Sequence, residues 1–190
     1  MLLVINRRLN AMVSRKKSEI IHIRVQPNFK VLLEGLANLG GVTSTKIIEQ
    51  LIVKSAQKTY IPDIDLIISG DFLKDGKLTL ADAVETTFLE GEPVLTKLRM
   101  YYLASDALSR KDQIVCAAVV NKENGDLFFG EDEIFYRSEG VIEPQELSGI
   151  PTVSVAKIND HLDSLEEFAD FRERNPKIKM VYKDFLKMSG

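Results

Sequence analysis

Cysteine and histidine are almost missing from this 190-residue chain, which has one cysteine, Cys116, and two histidines, His22 and His161. A single cysteine excludes an internal disulfide, and so few soft donors leave little for a zinc or nickel site. No cofactor and no metal is expected. Long apolar runs are missing too: no stretch approaches the ~20 apolar residues needed to cross a bilayer. The opening Met1-Leu2-Leu3-Val4-Ile5 run is too short for a signal peptide's apolar region, and its arginines follow it rather than precede it. These features lead to the expectation of a cytoplasmic chain with no membrane partner. There is no Walker lysine loop, no Gly-x-Gly-x-x-Gly and no Gly-x-Ser-x-Gly element, so the commonest nucleotide-binding and hydrolase signatures are absent.

What is present is an ordinary globular composition, 45% hydrophobic and 28% charged, with an uneven distribution of charge. Residues 1–60 hold ten basic residues against Glu19, Glu34 and Glu49, a net +7. Residues 61–190 hold fifteen basic and twenty-five acidic residues, a net −10. This asymmetry predicts two modules with different partners, the basic one facing a polyanion. The expected organisation is a basic arm at 1–17, a small module at 18–60 and an acidic domain at 65–190, joined by Thr59–Asp63.

In the small module, Ser18 to Val25 alternates, with Ile21, Ile23 and Val25 on one face and Ile20, His22 and Arg24 on the other. That is the period of a strand with one buried side. Pro27 suits the first turn of a helix, where its missing N–H costs nothing. Phe29, Leu32, Leu33, Leu36 and Ala37 then repeat with helical spacing until Gly40-Gly41 stops them. Thr43 is a natural N-cap for a second helix bearing Ile48, Leu51, Ile52, Ser55 and Ala56 on one stripe. One strand and two short helices cannot bury enough apolar surface alone, and a lone strand leaves its ladder hydrogen bonds unmade. Pairing with the same strand of a second copy solves both problems.

These features resemble the ribbon-helix-helix family of DNA-binding proteins. The residues that carry the resemblance are the strand ending Ile23-Arg24-Val25, Pro27, Leu33-Glu34-Gly35-Leu36-Ala37, and the turn Gly41-Val42-Thr43-Ser44-Thr45-Lys46-Ile47-Ile48. The resemblance covers about a fifth of the chain. It implies a homodimer whose two strands form an antiparallel ribbon in the DNA major groove, which admits such a ribbon. The outward residues Ile20, His22 and Arg24 would then read bases. Arg24 is suited to guanine O6 and N7, His22 to donating or accepting, and Ile20 to packing on a thymine methyl. Thr43, Ser44 and Thr45 would hold a phosphate at the start of the second helix. Arg15, Lys16 and Lys17 would contact the phosphate backbone.

The acidic remainder reads as an α+β domain. Short strands are expected at Asp65–Ser69, Gln113–Val120, Leu127–Phe129, Glu133–Arg137 and Thr152–Ala156. Helices are expected over Leu78–Leu89 and Pro93–Leu108, in a segment carrying Leu162, Leu165, Phe168, Ala169 and Arg172, and at Lys183–Met188. Asn124-Gly125 marks a turn. Asp71-Phe-Leu-Lys-Asp75-Gly76 has the outline of a calcium loop, but Leu73 occupies a ligand position and Asp82 replaces the final glutamate, so it is read as a helix-flanking turn. Cys116 is read as a core residue and His161 as a surface or capping residue.

The expected function is a homodimeric, sequence-specific DNA-binding protein acting as a transcriptional repressor. Its partners would be double-stranded DNA, itself, and a protein or small-molecule effector at the acidic domain. A plasmid-partition or antitoxin-type adaptor is the alternative, followed by an enzyme in the acidic domain, where no catalytic residue stands out.

Overall fold

The computed structural model describes residues 20–64, 67–136 and 140–189. Its internal contacts divide the chain into two units, Met1–Ile47 and Ile48–Gly190.

The first unit holds α1 (Pro27–Gly40), and α2 (Ser44–Ala56) begins in it. Pro27 opens α1 after Gln26, which is extended at φ −66° and ψ 152°. The helix ends in a Schellman arrangement: Gly41 is left-handed at φ 62°, its N–H bonds to Asn38 O, and Val42 N–H bonds to Ala37 O. Glycine takes that backbone conformation without the Cβ clash other residues suffer. Residues 20–26 belong to no helix or strand within this one chain.

The second unit is mixed, mostly helical with one small sheet. It contains α3 (Leu80–Thr87), α4 (Pro93–Ala104), α5 (Arg110–Val120), α6 (Gly125–Phe128), α7 (Val155–Asp160), α8 (Leu162–Arg174) and α9 (Tyr182–Ser189). β1 (Phe129–Glu133) and β2 (Thr152–Val153) pair antiparallel. Phe129 and Asp132 both face Val153, so a bulge lies between them. Gly130 occupies that bulge because a Cβ there would lie 2.7 Å from Ser154 Cβ and 2.9 Å from Val153 O. Packing runs α3 on α4, α4 on α5 and α7, and α5 on α8. Leu78, Leu98, Leu103, Phe128, Leu165 and Tyr182 are fully buried at its centre.

Several expectations are corrected. Gln113–Val120, read as a strand, is the body of α5. Ile-Val-Cys-Ala-Ala-Val-Val is apolar all round because α5 packs against both α4 and α8, and such a run cannot be told from a strand by periodicity. The deciding signal was Ser109 with Asp112: Ser109 Oγ accepts from Asp112 N–H at 3.1 Å and donates to Asp112 Oδ2 at 2.7 Å, capping the helix. Asn124-Gly125, read as a turn, is the junction of a 3-10 turn (Lys122–Asn124) with the short helix α6. Leu127 and Phe128 close α6, and Ile134–Tyr136 form a turn rather than a strand. Val155 and Ala156 start α7, which leaves β2 two residues long. Ser154 caps α7 by accepting from Lys157 N–H. Of the strand expected at Asp65–Ser69, Ile68 forms an isolated bridge with Ile142, while residues 65 and 66 lie outside the described residues.

The expected connector is tied into the second unit. Tyr60 bridges Thr79, Ile61 N–H bonds to Leu78 O, and Leu80 N–H bonds to Thr59 O. Asp75 and Gly76 are both left-handed, at φ 53° and 69°, in a two-residue turn between Lys74 and Lys77. Thr79 caps α3 by accepting from Asp82 N–H, and the Asp82 carboxylate, the twelfth position of the calcium-like outline, accepts from Thr79 Oγ1 and pairs with Lys74 at 2.7 Å. Among the described residues no helix is long and apolar enough to cross a membrane.

Candidate nucleic-acid interface

The residues before Ile61 and those from it onward differ in how they treat apolar side chains. Among the described residues, Ala37 is the one buried hydrophobic residue before Ile61. Ile21, Ile23 and Val25 are 73%, 61% and 55% exposed. On α1, Phe29, Leu32 and Leu36 are exposed, and on α2 so are Leu51 and Ile52. Leu33 and Ile48 are half-buried. Scattered exposed leucines are normal, but these residues occupy the positions that a strand and two helices would turn toward a core. Their apolar faces have the periodicity of packed elements without the packing.

The six residues on the strand-like segment are exposed on both of its sides. Ile20, at 82%, and the exposed His22 and Arg24 alternate with the apolar set. The choice of an outward face therefore rests on chemistry, since Ile21, Ile23 and Val25 are uniformly aliphatic and the other set is not. At the start of α2, Thr43 Oγ1 accepts from Lys46 N–H at 3.2 Å, and Thr43 O accepts from Ile47 N–H at 3.1 Å. Thr43 is thus the N-cap, and Ser44 and Thr45 are the first two helical residues. The first N–H groups of any helix have no acceptor within it, which makes this end partially positive. Thr43 and Thr45 are exposed and Ser44 is half-buried, so the helix start is open to solvent. Arg15, Lys16 and Lys17 lie outside the described residues. Lys30 and Glu34 form an i,i+4 pair at 3.8 Å on α1.

No family model, curated protein or solved structure matches the chain. Its function is therefore argued from its own residues.

The second unit places its titratable groups in cores and caps. Cys116 is buried on α5 beside a mostly apolar cavity of about 340 Å³, and burial pushes its thiol up to about 12. At neutral pH it is a thiol, not the thiolate a nucleophile needs. His161, read as a surface or capping residue, is the C-cap of α7 and the N-cap of α8 and is half-buried: its Nδ1 lies 2.9 Å from Tyr182 Oη and its ring packs edge-on against Phe128. Among the described residues no three His, Cys, Asp or Glu side chains gather as a metal-binding set.

Two features of this unit escaped the sequence reading. Arg99 is 2% exposed on α4, with Nε donating to Ile134 O at 2.6 Å and Nη2 to Tyr136 O at 2.5 Å. It fastens the turn after β1 to the helical core, and desolvation lowers its pKa. Arg110 and Arg172 line one cavity between α4, α5, α8 and the segment leading into α9. The signal for Arg172 was its place on the α8 stripe, one turn beyond the buried Phe168 and Ala169, where a charge needs a reason.

Proposed function

We propose that this chain is a homodimeric, sequence-specific DNA-binding protein of the ribbon-helix-helix kind, acting as a transcriptional repressor. The observation that carries the reading is the exposed aliphatic ladder Ile21, Ile23 and Val25 beside the exposed apolar stripe of α1. A second copy supplies what that ladder lacks. Two such strands laid antiparallel complete each other's hydrogen bonds and bring the aliphatic residues together over the helices. The opposite face of the ribbon then carries Ile20, His22 and Arg24 from each copy, and a two-stranded ribbon fits the major groove. The capped start of α2 at Thr43-Ser44-Thr45 is the anchor for a backbone phosphate, and Arg15, Lys16 and Lys17 add non-specific attraction. The net +7 of residues 1–60 supports a polyanionic partner, whereas the net −10 of residues 61–190 disfavours contact of that part with DNA. Repression follows from occupancy: a dimer seated over a promoter excludes polymerase without any catalysis.

The experiment is selection of bound sequences from a randomised duplex pool at ~150 mM salt, which suppresses purely electrostatic retention. Recovery of a short two-fold symmetric site supports the reading. Unselective retention, or none, overturns base readout and leaves the first unit as an assembly module.

A further inference from the structure

Residues 61–190 carry a net charge of −10, so they repel small anions on average. One cavity of the second unit departs from that average. It has a volume of about 310 Å³, and Arg110 from α5 and Arg172 from α8 both line it. None of its lining residues is acidic. Asp112 of α5 pairs with Lys97, and Asp170 of α8 pairs with Lys111. Glu167 acts electrostatically on Tyr182 but does not line the space.

Arg172 is under-used by the protein. Its Nη1 donates to Met180 O at 2.7 Å, and its guanidinium carbon lies 5.8 Å from the centre of the Phe168 ring. Its Nε is buried and has no hydrogen-bond partner. A guanidinium has five donors, and a buried one left unmade in a native protein calls for an explanation. Since Nε is closed to solvent, a carboxylate or phosphate in the cavity would pair with a terminal nitrogen of the guanidinium. Arg110 is exposed, with Nη1 3.2 Å from Gln113 Oε1.

Two amides of the wall, Gln113 and Asn124, are held by the protein itself. Gln113 Nε2 donates to Ser105 O, while Asn124 donates to Ala118 O and accepts from Lys183 N–H. They fix the shape, and Arg110 and Arg172 are the cationic groups in the lining. Tyr101 and Ile114, both half-buried, supply ring and aliphatic surface, with Phe168 and Tyr182 packed behind them. Burial raises the pKa of both tyrosines, so their hydroxyls stay neutral at physiological pH and add no negative charge.

We propose that this cavity binds a small organic anion, its carboxylate or phosphate held by Arg172 and Arg110 and its apolar body lying on the aromatic and aliphatic wall. The volume is at the small end of ligand sites and suits a body of about one ring. The inference concerns the second unit alone and stands whether or not the first binds DNA.

The test uses the full chain, with calorimetric titration and thermal melting in benzoate, phenyl phosphate, benzyl alcohol and benzylamine. Saturable binding of benzoate or phenyl phosphate, without binding of the neutral and cationic analogues, is the expected result. Which anion binds tells a carboxylate site from a phosphate site. Arg172→Gln and Arg110→Gln should each weaken that binding by at least ~10-fold. Arg110 is exposed, so Arg110→Gln keeps the test valid if Arg172→Gln fails to fold. No saturable response to either anion, an equal response to benzyl alcohol, or unchanged affinity in Arg110→Gln overturns the proposal.

Discussion

Ile20 and Ile23 are both exposed in the single chain, at 82% and 61%, so an aspartate at either position would cost a monomer almost nothing. The ribbon reading separates them. It puts Ile23 inside the dimer and Ile20 on the groove face. Burying the exposed part of Ile23 contributes about 2 kcal/mol at ~25 cal/mol per Å², and two-fold symmetry counts it twice. Ile23→Asp removes that gain and forces two unpaired carboxylates toward an apolar centre, at several further kcal/mol. The loss of at least ~4 kcal/mol corresponds to a dimer dissociation constant raised about 1,000-fold. Ile20→Asp leaves the dimer intact and weakens DNA binding by charge repulsion. Sedimentation equilibrium across a concentration series measures the first effect, and electrophoretic mobility shift measures the second. If the two variants dimerise alike, or if the wild-type chain is monomeric throughout, the strand pairing is wrong.

Arg24→Ala should cost ~1–3 kcal/mol at one base position and relax preference there, as read by competition binding with single-base variants of the selected site. Neutralising Lys16 and Lys17 should weaken all sequences alike and reduce the slope of log affinity against log salt by about 2. Arg99→Met keeps most of the side chain's volume but leaves the Ile134 and Tyr136 carbonyls without their donor, so the urea midpoint should fall by the equivalent of ~2–4 kcal/mol. The bond from Lys74 holds the Asp82 carboxyl below its ordinary range, with help from Thr79; at Asp112 burial pushes up, but bonds from Lys97 and Ser109 outweigh it. The native state therefore binds fewer protons than the unfolded one in acid, so this stability is complete above the ordinary aspartate pKa of ~3.9 and is lost as pH falls through the lower folded values. Asp112→Asn should flatten the loss of stability below about pH 4 in denaturant titrations. With its thiol raised to about 12, Cys116 should react with iodoacetamide at pH 8 at least ~1,000-fold more slowly in the native chain than in the urea-unfolded one.

Much of the first unit was legible because its signals are local. Pro27 and Gly41 bound α1 through their own backbone limits, and Thr43 caps α2 through its own hydroxyl. The alternation of Ile20–Val25 is equally local, but residues 20–26 form no strand within the single chain, so the ribbon rests on the proposed second copy. Cavity chemistry was less legible. Arg172 stood on the α8 stripe without drawing notice, because its role depends on Arg110, more than sixty residues earlier, and on where Asp112 and Asp170 turn.

Composition, charge asymmetry, caps and glycine turns were set by the sequence alone, because each follows from one residue's geometry or from a short periodic run. Tertiary structure decided what α5 is, because a segment packed on two sides loses its periodicity and reads as a strand until α4 and α8 are in place. It also decided that β1 bulges at Gly130, where Ser154 comes too close for any side chain. The deepest decision of that kind is the burial of Arg99. Its two backbone acceptors, Ile134 and Tyr136, lie thirty-five and thirty-seven residues further along the chain, and only folding brings carbonyls from that distance to a guanidinium that would otherwise have to stay in water.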